Sequence, residues 1–467
     1  MTVARPNILL IIADQWRADC FSHGGHPVVE TPTLDWLAES SLRFTRAYCA
    51  TPSCIAARAG LWTGLSQRSH GRVGYEDGVP WNYRVTLPQL LTDAGYQTHC
   101  VGKMHVHPVR NKIGFENVEL HDGFLHHVRN GRTEEQDDDY LKWLRQRHGP
   151  LADFTDTGLG CNGYSVRPWP YDEMSHPTNW VATRCVDFLR NRRDRQHPFF
   201  LTASFVRPHP PFDPPDYFLR LYENKKLPPI PRGAWQKDIP HYLPGPESPR
   251  PRTAALVDRA RRGYYACLSH VDNQINRLIT ALVEENIYEQ TAILFLSDHG
   301  EMLFDHEFVA KSLPYEGSTH IPFLLKLPHP APTGERDSVV ELRDVLPTLC
   351  EIAGVSVPAS VEGRSVLGAP REYLHGEHVA AEISHHHLTD GREKYIWYSQ
   401  TGREQLFDLQ RDPQEMRDLA KTKPTRVAHG RARLIQELTG REEGFVANGK
   451  LVVGRPSPET LSSARRG

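Results

Sequence analysis

The sequence predicts an α/β fold in which helices cover both faces of a large mixed, mostly parallel sheet, followed by a smaller C-terminal α+β subdomain with an antiparallel sheet. Strand-length apolar runs alternate with segments of helical periodicity over most of the chain. This pattern changes after residue 354, and 467 residues exceed what one hydrophobic core usually serves. We therefore place a large domain over 1–355 and the subdomain over 356–467.

Three apolar runs predict buried strands at Asn7–Ala13, Pro198–Phe205 and Thr291–Ser297. Each run is continuous rather than alternating, which is typical of central strands covered on both faces. Helical patterns over Trp180–Arg190 and Tyr265–Glu284 precede the second and third runs. Strands that alternate with helices favour a parallel or mixed sheet.

The segments between and after these elements predict loops and a hairpin. Proline-rich stretches at Arg207–Pro215 and Pro228–Pro251 block helix and central strand, so we expect loops over the sheet edge. Lys394–Tyr398 and Gln405–Leu409 predict an antiparallel hairpin. His385–His387 have no acidic or cysteine partners at fixed spacing, which indicates a loop rather than a second metal site.

The composition is typical of a soluble globular protein. The chain has 55 Lys+Arg against 57 Asp+Glu, a net charge of −2, so no nucleic-acid partner is expected. The apolar run near the start, Ile8–Ala13, is far shorter than the roughly 20 residues of a membrane span, and no export signal precedes it. We therefore expect a cytoplasmic protein without a membrane partner.

The 8 cysteines contain no C-x-x-C pair, which indicates neither a disulfide framework nor a thiolate zinc site. The tail after Glu442 has no clear periodicity. We expect this tail either to be disordered or to wrap a partner subunit, which would make the protein a homo-oligomer.

Two of the predicted strands end in polar pairs, Asp14-Gln15 and Asp298-His299. Ligands in open α/β sheets bind at the carboxyl ends of strands, so these four residues are candidate ligands of one metal ion. An oxygen-rich set with one imidazole suits Ca²⁺, Mg²⁺ or Mn²⁺ better than tetrahedral Zn²⁺. The pattern alone leaves an alternative open, in which Asp14 caps a helix and Asp298 begins a turn.

The segment 51–64 contains Cys54, Ala56 and Arg58, followed by Thr63-Gly64. It resembles the C-x-P-x-R signature of the sulfatase family within the alkaline phosphatase superfamily, with Ala56 where proline is usual. The resemblance implies an alkaline phosphatase-like sheet. It also implies that a formylglycine-generating maturation enzyme oxidises Cys54 to formylglycine, whose hydrate is the nucleophile.

Further matches supply the remaining roles. The G-K-M-H motif that contains Lys103 and His105 resembles the family's G-K-x-H. It implies that Lys103 contacts the nucleophile and sulfate and that His105 is the base that breaks the hemiacetal. The P-H-P-P-F motif around His209 resembles the family's P-H-x-P-F, which implies a proton donor to the leaving oxygen. Lys311 matches the family's sulfate-binding lysine.

The chemistry explains why these residue types would meet. A sulfate monoester is an anion that resists nucleophiles, so its site must gather positive charge and activate an oxygen nucleophile with metal. Arg58, four residues after Cys54, would lie on the same helix face and hold the nucleophile or the metal-ligand carboxylates. By the resemblance, one divalent ion is bound by Asp14, Gln15, Asp298 and His299, and we expect Ca²⁺, with Mn²⁺ or Mg²⁺ as alternatives.

The sequence is therefore interpreted as a formylglycine-dependent sulfatase, a sulfuric ester hydrolase that acts on a small organic or carbohydrate sulfate ester. Phosphonate monoester hydrolases and phosphodiesterases of the same superfamily are the alternative, although the pair Lys103 and His105 favours sulfate by the resemblance. A third hypothesis is a non-catalytic protein in which Cys54 stays a thiol and the cleft binds an anion. Fold alone does not choose among the three.

Overall fold

A computed structural model describes residues 5–240 and 253–465. Its largest sheet has eight strands: β1 (Asn7–Asp14), β2 (Leu42–Tyr48), β3 (Gln97–Gly102), β4 (Asn117–Leu120), β5 (Phe199–Pro208), β6 (Thr291–Ser297), β7 (Phe323–Lys326) and β8 (Gly334–Glu341). Their order is β4-β3-β5-β1-β6-β7-β2-β8. Only β7 runs antiparallel to its neighbours in this sheet, so the prediction of a mixed, mostly parallel sheet is confirmed.

Strand β1 lies in the middle of the sheet, and its side chains alternate between two cores. Leu9 and Ile11 point into one core, and Ile8 and Leu10 point into the other. Because both faces are buried, the strand is a continuous apolar run. The three predicted strands are confirmed, and β5 extends to Pro208.

Helices cover both faces of this sheet, as predicted. They are α1 (Pro32–Glu39), α2 (Cys54–Thr63), α3 (Gln67–His70), α4 (Leu87–Asp93), α5 (Leu125–Asn130), α6 (Asp139–His148), α7 (Pro177–Asp187), α8 (Asp216–Arg220), α9 (Ala254–Glu284), α10 (Glu316–Thr319) and α11 (Val345–Ala353). Apolar residues of α1, α6, α7 and α9 pack in one core, and those of α2, α4 and α11 pack in the other. Helix α9 starts well before the predicted Tyr265, with the Thr253 side chain accepting a hydrogen bond from the Leu256 N–H.

A second, antiparallel sheet follows, with the order β12-β11-β10-β9. Its strands are β9 (Leu374–His378), β10 (His385–Thr389), β11 (Glu393–Tyr398) and β12 (Glu404–Asp408). Helix α12 (Pro424–Leu438) packs Leu434 against Leu406 and Trp397 on one face. The predicted hairpin is confirmed as β11 and β12, and the division of the chain at residue 355 stays a prediction.

The loop predicted at His385–His387 is wrong, because these residues open strand β10. Strand β10 pairs with both β9 and β11, and its three histidines are buried in the sheet. His386 lies 3.2 Å from His375 across the pair and, with Glu377, forms a compact group of potential metal ligands. The Arg441 guanidinium already binds Glu377 through two hydrogen bonds of 2.6 and 2.7 Å, so a cation at this place would face a positive charge.

The tail packs against its own chain. After the short pair β13 (Val446–Ala447) and β14 (Lys450–Leu451), the Glu459 carbonyl accepts hydrogen bonds from the Val73 and Gly74 N–H groups, and helix α13 (Ser462–Arg465) follows. The predicted proline-rich loop over 228–251 falls partly outside the described residues. Within the described ranges, no helix combines the length and the apolar character that a membrane span requires.

Candidate active site

The predicted ligands meet at the carboxyl ends of two adjacent strands. β1 and β6 are paired in parallel with Ala13 opposite Ser297, so the residues that follow each strand emerge side by side. Asp14, Asp298 and His299 are fully buried there. Helix α2 begins at Cys54 and directs the cysteine to the same point, which explains how three distant segments build one site.

The four side chains form a compact donor group. Potential ligand atoms of Asp14, Cys54, Asp298 and His299 lie within 4.8 Å of one another. The Cys54 sulfur is 3.1 Å from His299 Nε2 and 3.8 Å from Asp14 Oδ1. His299 Nδ1–H donates to the Gly300 carbonyl at 2.9 Å, so Nε2 is the ring nitrogen that faces Cys54 and Asp14. Two carboxylates and an imidazole suit a hard divalent cation.

Gln15 takes part through its neighbours. Its amide oxygen accepts a hydrogen bond from Lys311 at 2.7 Å, and its amide nitrogen donates to the Glu301 carboxylate. Glu301, which sequence reasoning missed, is completely buried and also accepts hydrogen bonds from Tyr164 and from the backbone N–H groups of Leu303 and Ala310. Glu301 thereby fixes the Gln15 amide. Its position directly after Asp298-His299-Gly300 was the sequence signal that could have identified it.

Arg58 is completely buried and bridges three segments. Its Nε donates to Asp298 at 3.0 Å, and its Nη1 donates to the Lys103 carbonyl at 2.7 Å and to Ser204 Oγ at 3.0 Å. Its Nη2 has no hydrogen-bond partner within the described part of the chain. Arg58 therefore orients Asp298 and the Lys103 backbone and keeps one donor available.

Lys103 and His105 follow β3, and one carboxylate fixes the backbone between them. The Lys103 ammonium pairs with Asp14. Asp122 Oδ1 accepts the N–H groups of Met104 at 2.7 Å and His105 at 2.9 Å. Both ring nitrogens of His105 are buried and unpartnered among the described residues. Sequence reasoning missed Asp122, because Asp122 follows β4 whereas the Met104 and His105 N–H groups that it binds follow β3.

His209 and Lys311 form a pair. His209 Nδ1–H donates to the Pro210 carbonyl at 2.7 Å, so Nε2 accepts the hydrogen bond of the Lys311 ammonium at 2.8 Å. Burial, together with Lys311, holds the pKa of His209 well below its usual value. His209 is therefore a neutral acceptor of the Lys311 hydrogen bond.

Charge compensation governs the other buried groups. Burial raises the pKa of the Cys54 thiol and so does Asp14, but Lys103 and Lys311 outweigh both and the pKa is lowered. Burial also raises the pKa of Asp14, yet Lys103 and the surrounding cationic groups hold it well below its usual value. Burial and Lys103 lower the pKa of His105. The site thus presents anionic carboxylates, ammonium groups and the neutral imidazoles of His105 and His209.

A cavity of about 380 Å³ opens onto this group. Of the predicted residues, Cys54, Lys103, His105, His209 and Lys311 line it, whereas Asp14, Gln15, Arg58, Asp298 and His299 lie buried behind. All ten predicted residues are therefore brought to one place. The rest of the lining was not predicted and includes Tyr75, Phe124, Val128, His378 and Glu459. These residues come from segments far apart in the sequence, so no local motif could have predicted that they line one cavity.

Comparisons with known proteins agree with this geometry. The family model described as Sulfatase matches residues 6–355, and that described as N-sulphoglucosamine sulphohydrolase, C-terminal, matches residues 304–442. An arylsulfatase of Clostridium perfringens (strain 13 / Type A) is 45% identical over 97% of this chain and 98% of its own length. A choline-sulfatase of Rhizobium meliloti (strain 1021) is 31% identical over 90% of this chain and 83% of its own length.

Among solved structures, the phosphonate monoester hydrolase of Agrobacterium radiobacter superposes with a TM-score of 0.78 at 26% identity. The match covers 97% of this chain and 100% of that one. The large, mostly parallel sheet is thus shared with an enzyme that is named for a different reaction. The fold alone therefore does not assign the family, and the assignment rests on the sequence matches. The Sulfatase model covers residues 6–355 and the arylsulfatase match covers 97% of the chain, so the protein belongs to the sulfatase family and is a sulfuric ester hydrolase.

Proposed function

We propose that the protein cleaves a small organic or carbohydrate sulfate monoester to an alcohol and inorganic sulfate, with formylglycine formed from Cys54 as the nucleophile. One observation carries this proposal. The Cys54 sulfur lies among Asp14, Asp298 and His299 at the end of a cavity that basic side chains also line. A cysteine in such a place is suited to nucleophilic chemistry rather than to core packing.

The donor set fits one divalent cation, for which we expect Ca²⁺, with Mn²⁺ or Mg²⁺ as alternatives. Asp14, Asp298, His299 and the amide oxygen of Gln15 would hold it. When formylglycine and the cation are both in place, they would supply an oxygen nucleophile whose pKa the cation lowers. The fit rests on two buried carboxylates and one imidazole within 4.8 Å of one another.

The residues of the chain provide the binding and orientation. Lys103 and Lys311 line the cavity on the side of Cys54, and their ammonium groups would bind the sulfate oxygens and stabilise the charge that develops on them. The unpartnered Nη2 of Arg58 gives one more donor near the nucleophile. Such fixed donors cost little reorganisation during the reaction.

The Lys311–His209 pair and His105 would move the protons. As the S–O bond of the ester breaks, the leaving oxygen takes a proton from the Lys311–His209 pair, in which the ammonium is the donor. His105 is neutral and has no hydrogen-bond partner in the described ranges, so it can accept the proton that is released when sulfate departs. One water molecule balances the reaction: its oxygen ends in sulfate, one of its hydrogens ends in the alcohol, and the other leaves as a proton.

The first test is mass spectrometry of the peptide that contains Cys54. A formylglycine-generating enzyme of the host is the implied partner, and conversion lowers the mass by about 18 Da. The same preparation should release sulfate from 4-nitrophenyl sulfate. The Cys54→Ala variant should lose turnover, whereas Cys161→Ala, which removes the other cysteine of the cavity, should keep it. An unmodified thiol in protein from its own host, or turnover by Cys54→Ala, would contradict the proposal.

The metal assignment has a separate readout. Metal analysis of purified wild-type protein should find about one divalent ion per chain, and Asp298→Asn should lower this content. Prolonged chelation should lower turnover, and re-addition of Ca²⁺, Mn²⁺ or Mg²⁺ should identify the ion that restores it. Full turnover by a preparation that contains no metal would rule out the assignment.

A phosphonate monoester hydrolase is the second candidate, because one such enzyme shares the fold at a TM-score of 0.78. The same preparation should be assayed with 4-nitrophenyl sulfate, a phenyl phosphonate monoester and a bis(4-nitrophenyl) phosphate diester. We expect the highest kcat/KM for the sulfate ester, because the cavity places Lys103 and His105 beside Cys54. A higher kcat/KM for either phosphorus ester would favour the second candidate.

A further inference from the structure

The outer part of the cavity is apolar. Tyr75, Phe124, Leu125 and Val128 line it, and Tyr75 and Val128 remain 41% and 57% exposed at its rim. The Tyr75 ring lies edge-on to His105, with ring centroids 6.0 Å apart. Exposed aromatic and aliphatic side chains at the mouth of a cavity indicate contact with a ligand rather than core packing. The leaving group would lie against this surface.

Two carboxylates line the cavity, Asp122 and Glu459, and Asp122 is already bound by the Met104 and His105 N–H groups. Glu459 lies in the C-terminal tail, and its backbone carbonyl binds the N–H groups of Val73 and Gly74, which places it beside Tyr75. Its side chain is half-buried, and it forms no ion pair with any residue of the described ranges. The nearby acid Glu76, in contrast, is paired with Arg465.

Glu459 forms no ion pair with Lys103 or Lys311, whose ammonium groups contact Asp14, Gln15 and His209 instead. Burial and the neighbouring Glu76 raise the pKa of Glu459, and no lysine of the site contributes to this shift. The cavity therefore has a cationic end, formed by Lys103 and Lys311, and an anionic rim. A ligand that spans both ends would match them with a negative and a positive group.

The cost of desolvation decides which ligand suits the rim. A neutral apolar leaving group would cover the half-buried carboxylate without offering it a hydrogen bond, and burying an unpaired charge is unfavourable. A cationic nitrogen would pair with the carboxylate and could also lie against the Tyr75 ring, which attracts cations through its face.

We propose that the preferred substrate is a zwitterionic sulfate ester, whose leaving alcohol carries an ammonium group that binds Glu459 and Tyr75. This inference rests on the proposed sulfate-ester hydrolysis and names its substrate class. Glu459 would act as a specificity-determining residue, because it contacts the leaving group and not the reacting atoms.

Two matched esters test the proposal: 4-(2-aminoethyl)phenyl sulfate, which is cationic at its far end, and 4-ethylphenyl sulfate, which is not. We expect wild-type kcat/KM to favour the amine by about tenfold or more, chiefly through KM. Glu459→Gln should reduce this preference to about threefold or less, and Glu459→Asp should retain part of it. The ratio of the two esters cancels any general loss of active protein.

A matched control distinguishes direct contact with Glu459 from a long-range electrostatic effect of its charge. Glu76→Gln removes the same charge from a residue that does not line the cavity, and it should keep the preference. Equal kcat/KM for the two esters in wild type, or an unchanged preference in Glu459→Gln, would overturn the inference. If Glu76→Gln lost as much of the preference as Glu459→Gln does, a direct contact between Glu459 and the ammonium group would be ruled out. Failure of the proposed function has a different result, since wild type would then cleave neither ester.

Discussion

Asp122 offers a sharp test of how the site is held together. It follows β4, is 3% exposed, and accepts the N–H groups of Met104 and His105 through a single carboxylate oxygen. His105 has φ of 57°, in the left-handed region that residues with a side chain seldom adopt. Without Asp122, two buried N–H groups lose their acceptor and the turn loses the contact that opposes its strain.

The magnitude follows from these two contacts. Hydrogen bonds to a charged group contribute about 1.5–3 kcal/mol each, and part of this is offset because the buried carboxylate is removed as well. We therefore expect Asp122→Ala to lower the free energy of unfolding by about 2–4 kcal/mol. A shift of about 1 Å in Lys103 and His105 would reduce kcat by roughly 100-fold. KM should change less, since the lining of the outer cavity is intact.

Urea unfolding and steady-state kinetics with 4-nitrophenyl sulfate measure the two effects. Asp122→Asn is the matched control, because its amide oxygen can still accept from both N–H groups, and it should lose at most about half as much stability as the alanine variant. If Asp122→Ala kept wild-type stability and kcat, the positioning role would be refuted. If Asp122→Ala and Asp122→Asn lost the same stability, the loss would not be caused by the missing hydrogen-bond acceptor.

Three further predictions concern other contacts. Arg58→Lys keeps the charge, but one ammonium nitrogen cannot reach the three acceptors that Nε and Nη1 of the guanidinium bind, so kcat should fall roughly 100-fold and calorimetry should show a lower melting temperature. In Gly300→Ala the new Cβ would lie 2.1 Å from the Gly317 carbonyl oxygen, so urea unfolding should show a loss of about 3 kcal/mol or more, whereas Gly368→Ala, with 3.5 Å to its nearest atom, should change little. Burial raises the pKa of Glu119, but hydrogen bonds from one histidine and two arginines outweigh it and lower the value from 4.5 to about 2. Its stabilising contribution is therefore complete above pH 4.5 and is lost as the pH falls towards 2, so Glu119→Gln should be less stable than wild type by about 2 kcal/mol at pH 6 and by roughly half of that at pH 3.

The sequence predicted the parts of the molecule that local patterns determine. A strand buried on both faces must be apolar throughout, so Asn7–Ala13 and Thr291–Ser297 were visible as strands. The polar pairs at their ends then indicated one site, because carboxyl ends of parallel strands meet at one edge. The four-residue spacing from Cys54 to Arg58 placed both on one helix face, and both belong to helix α2.

What the sequence did not predict depends on contacts between distant segments. His385–His387 look polar in isolation, yet strands on both sides satisfy their backbone and cover their rings, so they form a central strand. Glu459 lies in a tail without periodicity and reaches the cavity only because the backbone of residues 71–74 binds that tail. Neither outcome is encoded in the neighbouring residues, since each requires a partner from another part of the chain.

The charges of the site explain why these distant segments must meet. Asp14 is paired with Lys103, and Asp298 is paired with Arg58, all in a buried environment. Buried ion pairs add little net stability, because desolvation offsets their attraction, but removal of one partner leaves an unpaired charge that costs about 3–5 kcal/mol. The strand ends, helix α2 and the loop after β3 are therefore stable only together. Selection for stability alone would favour apolar residues at these positions, so their retention points to the chemistry that the assembled charges perform.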